Sequence, residues 1–284
     1  MESIKKLFWI SRPVSWVNTA YPFAAGYIVT GGAVNWFFAL TTLYFLIPYN
    51  LLMYGVNDVF DYESDIRNPR KGGIEGMREQ KAFHPTIMWA ALLCNVPFVI
   101  YILMQIESTA RLIFTALLFF VVAYSIAKLR FKERPVLDSV TSSIHFVGPL
   151  FVALVLTGWK PVYIPYVVAF FFWGIASHAL GAVQDINPDR KANISSIATY
   201  FGARTTTRFA FMLYVTASTI LLTQNIPSAI VGIAGLVYAV NIAKYLSITD
   251  KTSGTINKVW RRFIWLNLFT GFIITITLIT VTIK

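Results

Sequence analysis

The chain has 284 residues, of which 56% are apolar and only 13% are charged. Soluble domains carry roughly 25% charged residues, so this composition excludes a soluble globular protein and indicates an integral membrane protein. In a membrane protein, a net charge of +11 is explained by membrane topology and by attraction to anionic lipid. We therefore expect contact with membrane lipid and no nucleic-acid partner. The single cysteine, Cys94, lies in an apolar run, which excludes a disulfide framework and predicts a small buried side chain.

Nine runs of the sequence are long and apolar enough to cross a bilayer, which takes about 20 residues. They are 15–31, 35–56, 85–105, 110–127, 138–157, 163–184, 208–224, 227–246 and 263–282. We therefore predict an all-α, polytopic membrane protein. Its nine transmembrane helices would surround a cytoplasm-facing cavity and form a single domain, 1–284.

The basic residues orient these spans. Twenty-one of the 24 lysines and arginines fall on the side of the N-terminus, and only Arg111, Lys160 and Lys284 fall on the other. The positive-inside rule therefore predicts a multi-pass protein of the cell membrane with a cytoplasmic N-terminus. The inner connections 57–84, 128–137 and 185–207 are long and charged, so we expect the active site at the cytoplasmic surface.

Carboxylates form two motifs, each after a span of the same orientation: Asp58, Asp61 and Asp65, with the amide of Asn57 beside Asp61, after the second, and Asp185 and Asp189 after the sixth. Spacings of three and four place them on one helix face, although Pro188 predicts that Asp189 comes from a loop. Grouped carboxylates repel one another unless a cation lies among them, and Mg²⁺ suits them best. We predict that all five aspartates are catalytic metal ligands, with the site between two weakly repeated halves.

Polar and basic residues extend this site. Polar groups inside spans are costly in lipid and should line a cavity; these are Asn18, Asn50, Tyr54, His145 and His178. Basic residues near the aspartates indicate an anion held through the metal, for which a diphosphate is suited. The candidates are Arg67, Lys71, Lys128, Arg130, Lys132, Arg190 and Arg204. A carbocation left by a departing diphosphate would be stabilised by aromatic side chains.

A different class, an ion-coupled transporter, would place its acidic groups near the bilayer midplane and polar stripes on the outer half. Here the acids cluster at one surface and the outer half is apolar, which favours an enzyme. A non-catalytic scaffold would have no need of two matched aspartate motifs.

The motifs Asn57-Asp58-x-x-Asp61-x-x-x-Asp65 and Asp185-x-x-x-Asp189 resemble those of the UbiA-type intramembrane prenyltransferases. Tyr124-x-x-x-Lys128 is similar to that family's tyrosine and lysine after span four. The resemblance implies that Tyr124 and Lys128, together with Asn57, bind the diphosphate. Four segments are similar to the lycopene elongase branch of the family: 12–20, 54–73, 129–135 and 181–190.

That branch implies a function. Its members transfer C5 prenyl groups from dimethylallyl diphosphate to the ends of lycopene with Mg²⁺ as cofactor, giving C45 and C50 carotenoids. His145, His178 or the departed diphosphate would take the final proton. The polar stripes contain no interior arginine or lysine that could bind a carboxylate, which favours a hydrocarbon acceptor. A prenyltransferase that acts on an aromatic or quinone precursor remains the alternative.

Overall fold

The computed structural model describes residues 2–66, 72 and 77–282, with the side chain of Ser64 excepted, and the regular structure in them is helical. The helices are α1 (Glu2–Ile10), α2 (Pro13–Val29), α3 (Trp36–Leu46), α4 (Pro48–Phe60), α5 (Tyr62–Asp65), α6 (His84–Gln105), α7 (Ser108–Ser125), α8 (Leu137–Leu156), α9 (Ile164–Val183), α10 (Ile186–Lys191), α11 (Ile197–Phe201), α12 (Ala203–Leu222), α13 (Ile226–Ala243) and α14 (Asn257–Thr282). Short 3-10 helices cover Lys81–Phe83, Phe131–Glu133, Pro161–Tyr163 and Asp250–Ile256.

The all-α membrane architecture is confirmed, but the count of nine spans is not. Seven stretches of the described chain are long and apolar enough to cross a bilayer: Trp36–Phe60, Lys81–Gln105, Ser108–Ser125, Leu137–Leu156, Pro161–Val183, Ile226–Ala243 and Asp250–Thr282. The other two predicted spans also form helices. However, α2 has 17 residues and reaches about 26 Å, short of a hydrocarbon core of about 30 Å. The first turns of α12 carry Arg204 and Arg208.

The chain forms two compact units. The first contains residues 1–131 and 145–159, and the second contains 132–144 and 160–284, so that α8 is divided between them. Each unit contains one of the two aspartate motifs.

Aromatic side chains fill the first unit. Phe23, Phe45, Tyr49 and Phe114 are fully buried, and the ring of Phe45 lies 5.1 Å from that of Phe23 and 5.3 Å from that of Tyr49. Such tilted and edge-to-face contacts stabilise a core beyond the area that they bury.

The second predicted span is not one helix. It breaks between α3 and α4 at Ile47, directly before Pro48. Proline has no N–H to donate, and in a helix its ring clashes with the carbonyl of the residue four positions earlier. The break therefore leaves backbone carbonyls of α3 without helical partners at a depth where lipid supplies none.

Side-chain amides and a hydroxyl satisfy these carbonyls. Asn50 donates from Nδ2 to the carbonyl oxygens of Phe45 at 2.9 Å and Leu46 at 3.0 Å. Thr19 donates to the same Phe45 oxygen at 2.7 Å. On the other side of the break, Asn95 of α6 donates to the carbonyl of Pro48, the first residue of α4, at 2.7 Å. Asn50, which we predicted to line a cavity, is thus fully buried and braces the broken helix.

The second unit packs α9, α12, α13 and α14 around small and aromatic residues. Tyr214 of α12 stacks on Tyr238 of α13 at 5.3 Å, and the Tyr214 hydroxyl lies 3.0 Å from Ser177 Oγ on α9. Gly174 permits a close approach, because a Cβ there would lie 2.3 Å from Ser143 Oγ on α8. Small residues at such contacts are typical of membrane helices.

The prediction that Cys94 is buried is wrong. Cys94 is exposed on α6, beside the exposed apolar side chains of Leu92 and Leu93. An apolar face turned to lipid and one turned to the protein core have the same composition, so hydropathy alone does not separate them.

The brace at the helix break can be tested with Asn50→Ala. We expect the free energy of unfolding to fall by about 1–2 kcal/mol, since the Leu46 carbonyl loses the Asn50 donor and the Phe45 carbonyl keeps that of Thr19 alone among the two described side-chain donors. The measurement is SDS-induced unfolding in mixed micelles. Asn18→Ala, at a half-buried position on α2, is the control and should change stability less. Equal losses in the two variants would contradict the role of Asn50.

Candidate active site

The first aspartate motif follows the helical path of α4 into α5. The Asp61 N–H donates to the Asn57 carbonyl at 2.9 Å, and the Asp65 N–H donates to the Asp61 carbonyl at 2.9 Å. These i,i+4 bonds keep Asn57, Asp61 and Asp65 on successive turns of one face. Asp65 is buried, and Asp61 is the C-cap of α4.

The end of α7 and the turn after it lie beside this face. Ser125 Oγ donates to Asn57 Oδ1 at 3.1 Å, and Arg130 Nη2 lies 3.8 Å from Asp61 Oδ1. The first unit thus brings together Asn57, Asp61 and Arg130. The ring of Tyr124 meets the ring of His145 edge-on at 5.1 Å. Sequence reasoning missed Ser125, although it directly follows Tyr124 at the end of an apolar run.

Asp58 has different surroundings. Its Oδ1 lies 2.6 Å from Arg12 Nη2, with only 3% of the Asp58 side chain and 16% of the Arg12 side chain exposed. Its Oδ2 accepts the Met77 N–H at 3.3 Å. Both carboxylate oxygens of Asp58 are therefore engaged by protein donors.

The structure gives Arg12 a specific place beside Asp58. Its guanidinium lies over the ring of Tyr54 at 4.2 Å, so Tyr54 faces this ion pair. Burial lowers the pKa of Arg12, but the neighbouring charges, that of Asp58 foremost, raise it more, and the pKa lies above its usual value. Arg12 is therefore cationic at any physiological pH.

The second motif lies on α10 and the residue before it. The Asp189 N–H donates to the Asp185 carbonyl at 2.9 Å, which again sets the two carboxylates one helical turn apart. The prediction that Asp189 belongs to a loop is wrong. Pro188 occupies the first turn of α10, where the N–H that proline lacks has no helical acceptor to reach.

The basic residues predicted to bind diphosphate differ in their surroundings. Arg190 Nη1 lies 2.7 Å from Asp250 Oδ2, and Arg190 Nη2 donates to the Thr199 carbonyl at 3.0 Å. Lys128 is exposed and Lys132 is half-buried. Arg67 and Lys71 lie outside the described residues.

The predicted cavity histidines both have partners within their own unit. His145 is buried, and its Nε2 lies 3.3 Å from the Phe120 carbonyl oxygen. His178 Nδ1 lies 3.0 Å from Ser139 Oγ. The neighbouring Asp138, also buried, accepts the Ser139 and Ile197 N–H groups, each at 2.7 Å. Asn18 is half-buried on α2.

The donor atoms suit Mg²⁺ when a diphosphate completes the coordination. In the described part of the chain, no three His, Cys, Asp or Glu side chains form a group that could hold a metal ion. Mg²⁺ is commonly bound by only one or two carboxylates, with waters and substrate phosphates filling the other positions. Asp61 with Asp65, and Asp185 with Asp189, each provide such a pair.

Comparison with known proteins identifies the family. The model of the UbiA prenyltransferase family matches residues 19–268. A lycopene elongase/hydratase of Corynebacterium glutamicum is 47% identical over 283 residues, which is 99% of both chains. A C50 β-cyclic carotenoid biosynthesis protein of a Dietzia species is 44% identical over 277 residues, covering 95% of this chain and 63% of its own length.

The fold is also that of solved relatives. A UbiA homologue from Archaeoglobus fulgidus, whose structure was solved bound to DMAPP and Mg²⁺, superimposes with a TM-score of 0.69 at 19% identity and covers 95% of this chain and 99% of its own. Sequence, family model and fold agree, and the chain belongs to the UbiA prenyltransferase family as a membrane prenyltransferase.

Proposed function

We propose that this enzyme transfers a C5 dimethylallyl group from its diphosphate to the ends of lycopene, giving C45 and C50 carotenoids. The observation that carries the proposal is the 47% identity, over 99% of both chains, to a lycopene elongase/hydratase. The C50 carotenoid relative supports the same acceptor class. The Archaeoglobus homologue bound to DMAPP and Mg²⁺ supports the donor and the metal.

The proposed site uses the two aspartate pairs. Mg²⁺ would be held by each pair, Asp61 with Asp65 and Asp185 with Asp189. When bound, it would neutralise the diphosphate and stabilise the charge that develops as the diphosphate leaves. Asn57 is oriented by Ser125, and Arg130 adds positive charge beside Asp61. We assign diphosphate contacts also to Tyr124, Lys128 and Lys132, and to Arg67 and Lys71 outside the described residues.

The bond changes follow from this donor and acceptor. The bond between the allylic carbon and the diphosphate oxygen breaks, and the terminal alkene of lycopene attacks the allylic cation. The resulting tertiary cation loses a proton or captures water. We propose that His178, which is held by Ser139, or the departed diphosphate accepts the proton. We assign His145, buried against a backbone carbonyl, a structural role.

We propose that the N-terminus and both aspartate motifs face the cytoplasm. This orientation is supported by the 21 of 24 lysines and arginines that fall on that side of the predicted spans.

The reaction is tested by label transfer in washed membranes that carry this protein. Labelled dimethylallyl diphosphate, Mg²⁺ and lycopene should give labelled C45 or C50 carotenoid. Asp61→Ala and Asp185→Ala should each lower the rate by at least about 10²-fold, as loss of a group that stabilises developing charge does. Chelation of Mg²⁺ should stop transfer in the wild-type protein, and added Mg²⁺ should restore it.

Other outcomes separate the alternatives. Label in a product of 4-hydroxybenzoate, with none in carotenoid, would replace lycopene by an aromatic acceptor. No transfer to either acceptor, together with no binding of the diphosphate, would overturn the proposed reaction.

Asp58 has a separate role in this proposal: it anchors Arg12 and the Met77 backbone, and we leave it out of the metal ligands. Asp58→Asn should lower the free energy of unfolding by about 3 kcal/mol without Mg²⁺, because Arg12 is then buried without its counter-charge. Asp61→Asn should lower that free energy less than Asp58→Asn does, since the Asp61 contact with Arg130 is longer, at 3.8 Å against 2.6 Å for Asp58 with Arg12, yet should abolish stabilisation by Mg²⁺ plus pyrophosphate.

SDS-induced unfolding with and without these additives measures both effects. The double variant Arg12→Gln, Asp58→Asn should recover part of the stability lost in Asp58→Asn, because no unpaired charge remains. If Asp58→Asn kept its full stability and lost only the effect of Mg²⁺, Asp58 would be a metal ligand after all.

A further inference from the structure

The 3-10 segment Asp250–Ile256 is tied to the start of α12. Asp250 Oδ1 accepts the Ala203 N–H at 2.7 Å, and Ala203 is the first residue of α12. The preceding residue, Gly202, has no side chain with which to cap the helix, so Asp250 supplies the missing acceptor. A Cβ on Gly202 would lie 3.2 Å from the same oxygen, and the φ of Gly202 is +80°.

The same segment is tied to α10, which carries the second aspartate motif. Asp250 Oδ2 lies 2.7 Å from Arg190 Nη1. Asn187 donates to the Asp250 carbonyl at 3.1 Å and more weakly to Ser253 Oγ at 3.4 Å. α10 is thus joined to the segment at two positions, on either side of Asp189 in the sequence.

A third bond lies at the start of the motif. Asn257, directly after the segment, donates to Gln184 Oε1 at 3.0 Å. Ile186 and Ile256 are both fully buried in the core of this unit. Residues 184, 187 and 190 therefore each contact the stretch 250–257.

These three contacts fall on one side of the chain. At about 100° per residue, positions 184, 187 and 190 centre on a direction roughly opposite to that of positions 185 and 189. The backbone of Gln184 and Asp185 is in the α conformation, so the helical count applies across the join between α9 and α10. Holding one side fixes where the carboxylates on the other side point.

We propose that Asp250 and Arg190 form a clasp that positions the second aspartate motif for metal and diphosphate. This inference rests on the proposed function, and it assigns Arg190 as a positioning residue in place of the diphosphate contact predicted from the sequence. The pair is surface-exposed, with 46% of the Arg190 side chain and 37% of the Asp250 side chain accessible. Such pairs add little to global stability, so the clasp acts on the orientation of α10.

The test uses Arg190→Gln, Asp250→Asn and their double variant. Asp250→Asn is isosteric and keeps an oxygen for the Ala203 N–H, and Arg190→Lys tests rescue by retained charge. Arg208→Gln is the matched control, because Arg208 donates to the Leu246 carbonyl and lies outside the clasp.

The first readout needs no reaction. Hydrogen exchange of the amides in 185–203, measured in detergent, should be several-fold faster in Arg190→Gln and in Asp250→Asn and unchanged in Arg208→Gln. Arg190→Lys should fall between the wild type and Arg190→Gln. Unchanged exchange in both clasp variants would overturn the proposal.

The second readout is the Mg²⁺ concentration that half-saturates binding of labelled inorganic pyrophosphate. Each clasp variant should raise it roughly tenfold, as loss of an outer-shell partner of a metal site does, and the double variant should raise it no further. If Arg190 bound the diphosphate directly, Asp250→Asn would have a different effect. The substitution would free the guanidinium, and the half-saturating Mg²⁺ concentration would stay the same or fall. That result would overturn the clasp.

Failure of the proposed function gives a distinct result. If the wild-type protein did not bind pyrophosphate in the presence of Mg²⁺, the proposed function would be wrong. Hydrogen exchange would still show whether the clasp orders α10.

Discussion

The structure depends on the pairing of charges where helices end. Asp58 is nearly buried and makes its closest contact with Arg12 at 2.6 Å, while Glu79 pairs with Lys6 at 2.9 Å. A buried carboxylate without a counter-charge would cost several kcal/mol. The first pair connects the start of α2 to α4, and the second connects α1 to the chain that leads into α6. The aspartates of the first motif are consequently not equivalent, because one of them is committed to holding the helices together.

Much of the fold could be predicted from the sequence because lipid imposes strong rules. A chain in hydrocarbon must satisfy its backbone internally, so apolar runs become helices, and the bounds of α6 and α9 lie close to the predicted runs. The errors have one physical origin. Hydropathy does not distinguish lipid from protein core, which explains Cys94. Hydropathy also contains no information on where a helix tolerates proline. For this reason it did not predict the break at Pro48 or the helical position of Asp189.

The candidate site was predicted only in part. The aspartates stand out because their spacing is local and follows the helical repeat. Their partners come from far along the chain: Ser125 lies 68 residues from Asn57, and Arg12 lies 46 residues from Asp58. A single sequence does not encode such pairings as a visible pattern. Asn50 shows the reverse case, since a polar residue inside a span indicated a cavity but satisfies a broken helix instead.

The arginines show why the role of basic residues near the aspartates is hard to predict from the sequence. The positive-inside rule predicts a cytoplasmic side for Arg12, Arg130 and Arg190, but it does not predict their partners. A guanidinium can donate along two edges, so it can bridge an acid and a backbone carbonyl, as Arg190 does, as readily as it binds phosphate oxygens. The partner acid distinguishes the two uses. An arginine has a structural role where the acid that it pairs with also accepts a backbone N–H. Asp58 and Asp250 both meet that condition, and each lies against an arginine beside an aspartate motif. Where an acid is tied in this way, moving its arginine to a diphosphate would break contacts on both sides, so the arginine is better suited to hold the motif than to bind substrate.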